Sequence, residues 1–286
     1  MPIKHILAPL TGDREAYHVP LCALKLADEL KAHVTAASIP LPTASYVLPE
    51  AGIAPGAYAG LLSSLENVNA GRSAKARQLF DRAVAETKLA IVDTPVCAHG
   101  STHWVDGTKL ADSTIFALSR LVDLVVIDTP DPKGGTSEVE IFEDAIFTAR
   151  RPVLIVPKGT SQILRKNAAV AWNGSAEAIA SVKQALDLLE PGAKITIIQV
   201  GEVERGGAAA EELADYLGWH CFEPVIRRVS DKPSGTANII MTEAKGVGAS
   251  LLIMGAYTHG RMREMFLGGV TREFLASTDL PLFMAH

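Results

Sequence analysis

The sequence is poor in several features that would narrow its function at once. No apolar run approaches the roughly 20 residues that a membrane-spanning helix needs, so no spanning segment is expected. Cysteine is scarce: Cys22, Cys97 and Cys221 are scattered and odd in number, which argues against a disulfide framework. Basic residues are not in excess. Lys and Arg number 27 against 32 Asp and Glu, for a net charge of -5. Phosphate backbones and anionic membranes are held by clustered cations, so neither is an expected partner. The chain opens without a basic stretch leading into an apolar signal segment, and a cytoplasmic location is expected. Catalytic signatures are missing too. There is no Gly-x-Ser-x-Gly, no Gly-x4-Gly-Lys-Ser/Thr, and no Gly-x-Gly-x2-Gly after the first strand of either half. No catalytic residue can be named, and an enzyme is not expected.

What is present is apolar material in a repeating order. The 286 residues are 48% hydrophobic, enough for two domains of ordinary size. Runs bounded by turn residues occur at Ile3–Pro9, His33–Ile39, Ala90–Cys97, Leu121–Ile127 and Pro152–Pro157. They recur at Ala168–Trp172, Lys194–Val200, Cys221–Val229, Ser250–Met254 and Pro281–Ala285. Continuous rather than alternating runs suit strands buried on both faces. Helical stripes fill the gaps, one through Val19, Cys22, Leu26 and Leu30, another through Ile179, Val182, Leu186 and Leu189. Strands alternating with helices imply a mainly parallel sheet.

The halves align in order. Leu7–Asp13 answers to Val170–Ser175, Leu124–Asp128 to Leu251–Gly255, and Arg151–Val156 to Leu280–Ala285. The expected architecture is α/β: two tandem five-stranded, mainly parallel sheets with helices on both faces. One domain covers 1–158 and the other 166–286. The first carries an insertion, 40–71, rich in Pro, Ala and Gly and leading into a long helix whose stripe is Leu61, Leu65, Val68, Ala76, Leu79, Phe80, Ala83 and Val84.

The chemistry concentrates in one loop. A buried strand ends at Met254 and runs into Gly255, followed by Thr258, His259, Arg261, Arg263, Gly268, Gly269, Val270 and Thr271 before a helix. Ligands of open α/β sheets sit beyond the carboxyl ends of the strands. Glycines let a ligand approach the backbone, and helix N-termini favour phosphate. Arg261 and Arg263 can supply charge there, and Thr271 a hydroxyl.

The spacing resembles the universal stress protein signature, Gly-x2-Gly-x9-Gly-Ser/Thr. Gly255 and Gly268 hold its first and third positions; Thr258 and Gly269 replace the second glycine and the hydroxyl residue. The resemblance extends over nearly the whole chain. It implies the adenine nucleotide alpha hydrolase-like fold and a site for ATP or another adenine nucleotide, with Mg accompanying it. The site would draw on Ala171, Trp172, Asn173, Val200, Gly255, Thr258, His259, Arg261 and Gly268–Thr271. Asn173 stands where nucleotide-binding members carry an Asp near the adenine, and its amide both donates and accepts. The resemblance also implies antiparallel pairing of the last strands of the two domains, Val153–Val156 with Leu282–Ala285, and a further homodimer is compatible with it.

The equivalent loop of the first half, Asp128 to Thr136, is about half as long and puts a carboxylate where Gly255 sits, which would repel phosphate. That half reads as a degenerate partner. Cys97, His99 and His103 match no standard zinc spacing, and no metal site is expected; His103 and Trp104 read as preceding the third helix. His220 and Cys221 read as strand neighbours facing opposite ways, with the cysteine buried. Two functions stand open, beside weak ATP hydrolysis, for which no base or nucleophile can be named. One is a stress-response regulatory module that binds an adenine nucleotide in its second half. The other is a non-catalytic interaction protein whose pocket is vestigial or holds another small ligand, to which the apolar residues Tyr46, Val47, Leu48, Ile53, Tyr58, Leu61 and Leu62 of the insertion would contribute.

Overall fold

The computed structural model describes residues 2–41, 55–110, 114–130, 137–203, 206–230, 235–256, 274 and 278–286. The first half runs β1 (His5–Leu10), α1 (His18–Leu30), β2 (His33–Ser38), α2 (Pro55–Thr87), β3 (Ala90–Ile91), β4 (Ser101–Val105), α3 (Ile115–Ser119), β5 (Leu124–Asp128), α4 (Ser137–Glu143) and β6 (Val153–Val156). The second runs β7 (Asn167–Trp172), α5 (Ala176–Ala185), β8 (Lys194–Val200), α6 (Ala210–Trp219), β9 (Val225–Val229), α7 (Thr236–Gly246), β10 (Leu251–Gly255) and β11 (Leu282–Ala285).

These strands form one eleven-stranded sheet, ordered β3-β4-β2-β1-β5-β6-β11-β10-β7-β8-β9. The expected α/β architecture is present, differing in detail: the two mainly parallel sheets are continuous, and the short β3 gives the first half a sixth strand. β6 and β11 pair antiparallel, Ile155 opposite Leu282 and Val153 opposite Met284, so the two halves share one hydrogen-bonded sheet. All other pairings are parallel. Side chains alternate across each strand. Ile6, Ala8 and Leu10 of β1 join α1, α2, α5 and α6 on one face, whereas Leu7 joins α3, α4 and α7 on the other. Both cores run through both halves.

The turn after the first strand is built alike in each half. Gly12 (φ +73°) and Gly174 (φ +76°) both take a left-handed backbone. A Cβ on Gly12 would overlap the Arg72 carbonyl of α2, and one on Gly174 would lie 2.6 Å from the Ala208 carbonyl just before α6. Glycine is needed twice because chain following the second strand, α2 in one half and the approach to α6 in the other, crosses the same turn.

Across the connection between the halves, Arg165 grips α1. Its Nε and Nη2 donate to Glu29 Oε2 at 3.0 and 2.6 Å, and Nη1 donates to the Leu188 carbonyl at 3.0 Å.

Several local expectations change. Only Ala90–Ile91 of the run Ala90–Cys97 forms strand, with Ile91 exposed; the strand beside β2 is Ser101–Val105. Its polar residues are buried because they are bonded: the Thr102 hydroxyl donates to the Val34 carbonyl at 2.9 Å. His103 and Trp104 therefore lie on β4, and Trp104 packs against Phe80 at 5.5 Å. On α2 the stripe holds at Ala76, Phe80 and Ala83 but fails at Leu61 and Val68, which are exposed. β9 starts at Val225, and Cys221 is exposed in the turn after α6 with φ +63°, not buried on a strand. The expected residues Tyr46, Val47, Leu48 and Ile53 lie outside the described set, as does the loop 131–136. So does the side chain of Tyr58.

Phe283 sits at the seam, fully buried, opposite Leu154. Phe283→Ala is expected to cost about 3–5 kcal/mol, as large-to-small core changes of Phe do. Urea unfolding of the two proteins measures it, and a loss below about 1 kcal/mol would mean the seam contributes little.

Candidate functional site

The register of the sheet brings five of the anticipated site residues to one edge. Met254 pairs with Ala171, and Trp172 pairs with Gln199. Gly255, Asn173 and Val200 therefore follow one another at the carboxyl ends of β10, β7 and β8. The chain leaves β7 toward β8 while β10 lies on the other side, so this is a topological switch point, where open α/β sheets place ligands.

The side chains there differ in what they offer. Ala171 and Trp172 are buried, and Trp172 Nε1 donates to the Ala208 carbonyl at 3.0 Å, so the indole belongs to the core. Asn173 is exposed; its Oδ1 accepts from the Ser175 amide at 3.2 Å, which closes the turn. Ser175 caps α5 by accepting from the Ala178 amide at 3.2 Å. Gly255 abuts that helix start: a Cβ would lie 2.6 Å from the Ala178 nitrogen and 2.7 Å from the Glu177 carbonyl carbon. The missing side chain thus lets the positive end of α5 reach the strand end. Thr258, His259, Arg261, Gly268, Gly269, Val270 and Thr271 lie outside the described residues.

The first half has a cleft at the matching place, between β1 and β5. Asp128 occupies the end of β5, and its Oδ1 accepts from His18 Nε2 at 2.9 Å and from the Thr129 amide at 2.7 Å. Glu138 Oε1 accepts from the Thr11 hydroxyl at 3.4 Å and faces Arg14 Nε at 3.7 Å. The cleft encloses about 20 Å³, room for a water or one small group. Sequence reading saw Asp128 as a repulsive charge and missed His18, because nothing local announces a partner 110 positions away.

The grouping of Cys97, His99 and His103 does not form. Cys97 is exposed, His99 Nδ1 contacts the Gly100 carbonyl, and His103 lies across the sheet beside His33. Among the described residues no group of three or more His, Cys, Asp or Glu is placed to hold a metal. Instead, three imidazoles stand on adjacent strands. His33 Nε2 is 2.7 Å from His103 Nδ1, and their rings stack at 4.9 Å. His5 lies 5.6 Å from His33 and bonds the Thr35 hydroxyl through Nε2.

A 2.7 Å gap between two ring nitrogens holds one proton, not two. Burial, then His103 and His5, lower the His33 pKa from 6.5 to about 4. Burial also lowers those of His5 and His103, opposed by Asp123 and the Leu121 carbonyl at His5 and by Asp93 at His103. The folded state thus favours neutral rings, so the unfolded chain takes up protons first. Stability from this ladder is present above pH 6.5 and is lost as pH falls from 6.5 toward about 4. Thermal melts across that window should show the decline in wild type and a shallower one in His33→Gln; equal slopes would refute the coupling. At the other edge, Gly255→Ala should destabilise the fold by about 1–3 kcal/mol, as overpacking does, in denaturant titrations without any ligand. An unchanged midpoint would show that α5 yields freely there.

No family model matches the sequence, and none of the curated proteins matches it either. Solved structures do match. A universal stress protein from Archaeoglobus fulgidus DSM 4304 superposes with a TM-score of 0.60 at 15% identity, over 98% of this chain and 97% of that one. A Pseudomonas aeruginosa UCBPP-PA14 protein, described as a universal stress protein, does so with a TM-score of 0.50 at 12% identity, over 99% and 93%. Identities this low speak to architecture alone, and the architecture is that of the universal stress proteins: this chain has their fold along nearly its whole length.

Proposed function

We propose that the chain is a stress-response regulatory module that binds an adenine nucleotide, ATP or AMP, in its C-terminal half. One observation carries the reading: the strand register assembles Asn173, Val200 and Gly255 at a switch point, beside the capped N-terminus of α5. The exposed Asn173 amide would meet the base, and the Val200 backbone would lie beside it. The start of α5, with Gly268–Thr271, Thr258, His259 and Arg261 of the following loop, would face the phosphates and their Mg. A cytoplasmic protein, possessing no nucleic-acid or membrane partner and able to form a homodimer, fits this reading. Among the described residues no helix is long and apolar enough to cross a membrane.

A second reading has its own support. Packing against α5 already accounts for Gly255, and Leu61 and Val68 stand exposed on α2. Both features suit an interaction protein whose pocket is vestigial or takes another small ligand.

Calorimetric titration of the full chain with ATP decides between them. Thr258→Gly with Gly269→Ser restores the family signature. It should tighten binding, the hydroxyl alone adding about 0.5–1.5 kcal/mol. Gly268→Val should weaken it by filling the space the phosphates need. Flat titrations for the wild type and the double substitution, with both proteins folded, would favour the interaction protein.

A further inference from the structure

His5, His33 and His103 stand at register positions that the second half fills differently. His5 and His33 pair as the first residues of β1 and β2, and Asn167 and Lys194 pair as the first residues of β7 and β8. Two residues further along, His103 of β4 pairs with Thr35, as Val225 of β9 pairs with Thr196. Asn167 repeats the role of His5: its Nδ2 donates to the Val247 and Gly248 carbonyls after α7 at 3.1 and 2.8 Å, where His5 Nδ1 meets the Leu121 carbonyl after α3 at 3.3 Å. Lys194 and Val225 are exposed. The same sheet is thus built once with three titratable rings and once without any, and the fold itself does not require imidazoles there.

The His33–His103 contact takes up one added proton but not two. With both rings neutral, one N–H fills the 2.7 Å gap. A first extra proton goes to an outer nitrogen, either His33 Nδ1 beside Ser101 Oγ or His103 Nε2, and leaves the gap as it was. A second puts an N–H on both inner nitrogens, and the contact must break. Asp93, after β3, and Asp123, before β5, act on the ladder from outside, and both favour proton uptake. β1, β2, β4 and α3 bring no other charged side chain to it.

Little else holds that end of β4. Its first residues, Ser101 and Thr102, are polar, and β3 beyond it is two residues long. On the histidine face α3 spans five residues where α7 spans eleven. Segments with few buried apolar contacts open at a lower free energy than the whole molecule. The far end of β4 is tied down: Trp104 packs on Phe80, and Asp106 accepts from Ser73 Oγ of α2 at 2.9 Å. Burial raises the Asp106 pKa, but hydrogen bonds from Thr108, Ser73 and Lys109 outweigh it and hold the group below its ordinary 3.8, so this anchor stays ionised in mild acid.

We infer that the amino-terminal end of β4, together with β3, is an acid-released edge: a second proton on the His33–His103 pair parts β4 from β2 there, while the Asp106 anchor and the whole second half hold. Release bares the main chain of β2 as an unpaired sheet edge. The device lies in the first half and does not depend on the nucleotide reading.

Hydrogen-exchange mass spectrometry on the full chain, each rate divided by the intrinsic rate at that pH, reads the opening peptide by peptide. Between pH 6.5 and about 4, protection over residues 101–103 should fall at least about tenfold, since each proton gained on opening contributes up to about tenfold per pH unit. Peptides of β7 and β8 should keep theirs. His103→Val installs the residue that the second half carries at this register, and should keep β4 protected in acid. Should that variant already lose protection at neutral pH, His33→Gln is read in its place with the same expectation. Acid that leaves β4 of the wild type protected, that opens β7 and β8 in step with it, or that opens both variants as it opens the wild type overturns the proposal.

Discussion

The antiparallel pairing of β6 with β11 is the constraint on which the rest of the molecule depends. The extra edge strand β3 aside, each half orders its strands in the same way, with the last strand at one margin. That margin would be an unpaired apolar edge if it stood alone, since Val153–Val156 and Leu282–Ala285 are wholly buried. Pairing the two margins removes both edges at once. It also fixes geometry: strands of one half run against those of the other, while equivalent helices stay on the same face. The halves are thus related by an approximate two-fold axis normal to the sheet. Their carboxyl edges, and the crevices on them, open on opposite sides of the molecule.

Much of this order was legible because burial on two faces leaves a coarse mark. Lys194–Val200 reads as a strand and is one, with its expected bounds. The alignment of the two halves is reflected in the matched glycines at 12 and 174. β4 was not legible in the same way. Ser101 and Thr102 are fully buried yet polar, held by His33 and the Val34 carbonyl, so apolar patterning pointed upstream to Ala90–Cys97. Leu61 and Val68 follow helical spacing, but spacing cannot tell how far the sheet extends beneath a helix. At the candidate site, the strand-end residues were readable from their places in the duplication. The His18–Asp128 pair and the histidine ladder were not. Each joins residues far apart in the chain through register or helix packing, which no local pattern encodes.

The two crevices differ for a reason visible in the connections that form them. In the second half only residues 173–175 separate β7 from α5. The helix begins directly over the strand end, and its backbone leaves no room for a Cβ at position 255. In the first half residues 11–17 separate β1 from α1. The longer turn starts the helix later, so the end of β5 can carry a side chain, and His18 is placed to meet it. A difference in turn length therefore exchanges a helix terminus pressed on glycine for a cleft lined by ion pairs. The first presents the positive end of a helix, the second carboxylates already met by His18 and Arg14.

Opposed edges also limit how the halves can influence each other. A ligand at one crevice cannot touch the other, so any coupling must pass through contacts between the halves, the seam among them. The contacts available for that are specific. Ser181 of α5 accepts from the Ala285 amide at 2.7 Å and donates to its carbonyl at 3.1 Å, tying the capped helix to the seam strand. The Ala256 amide donates to the same carbonyl at 2.9 Å, so the first residue after β10 is held there too. His286 Nδ1 contacts the Ala256 carbonyl at 3.0 Å, and its ring meets Phe147 of the first half edge-on at 5.1 Å. The base of the C-terminal loop thus touches the N-terminal half through one histidine and one phenylalanine. A shift of α5 or of that loop on binding would move β11 or His286 before anything else, and both lie against the other half.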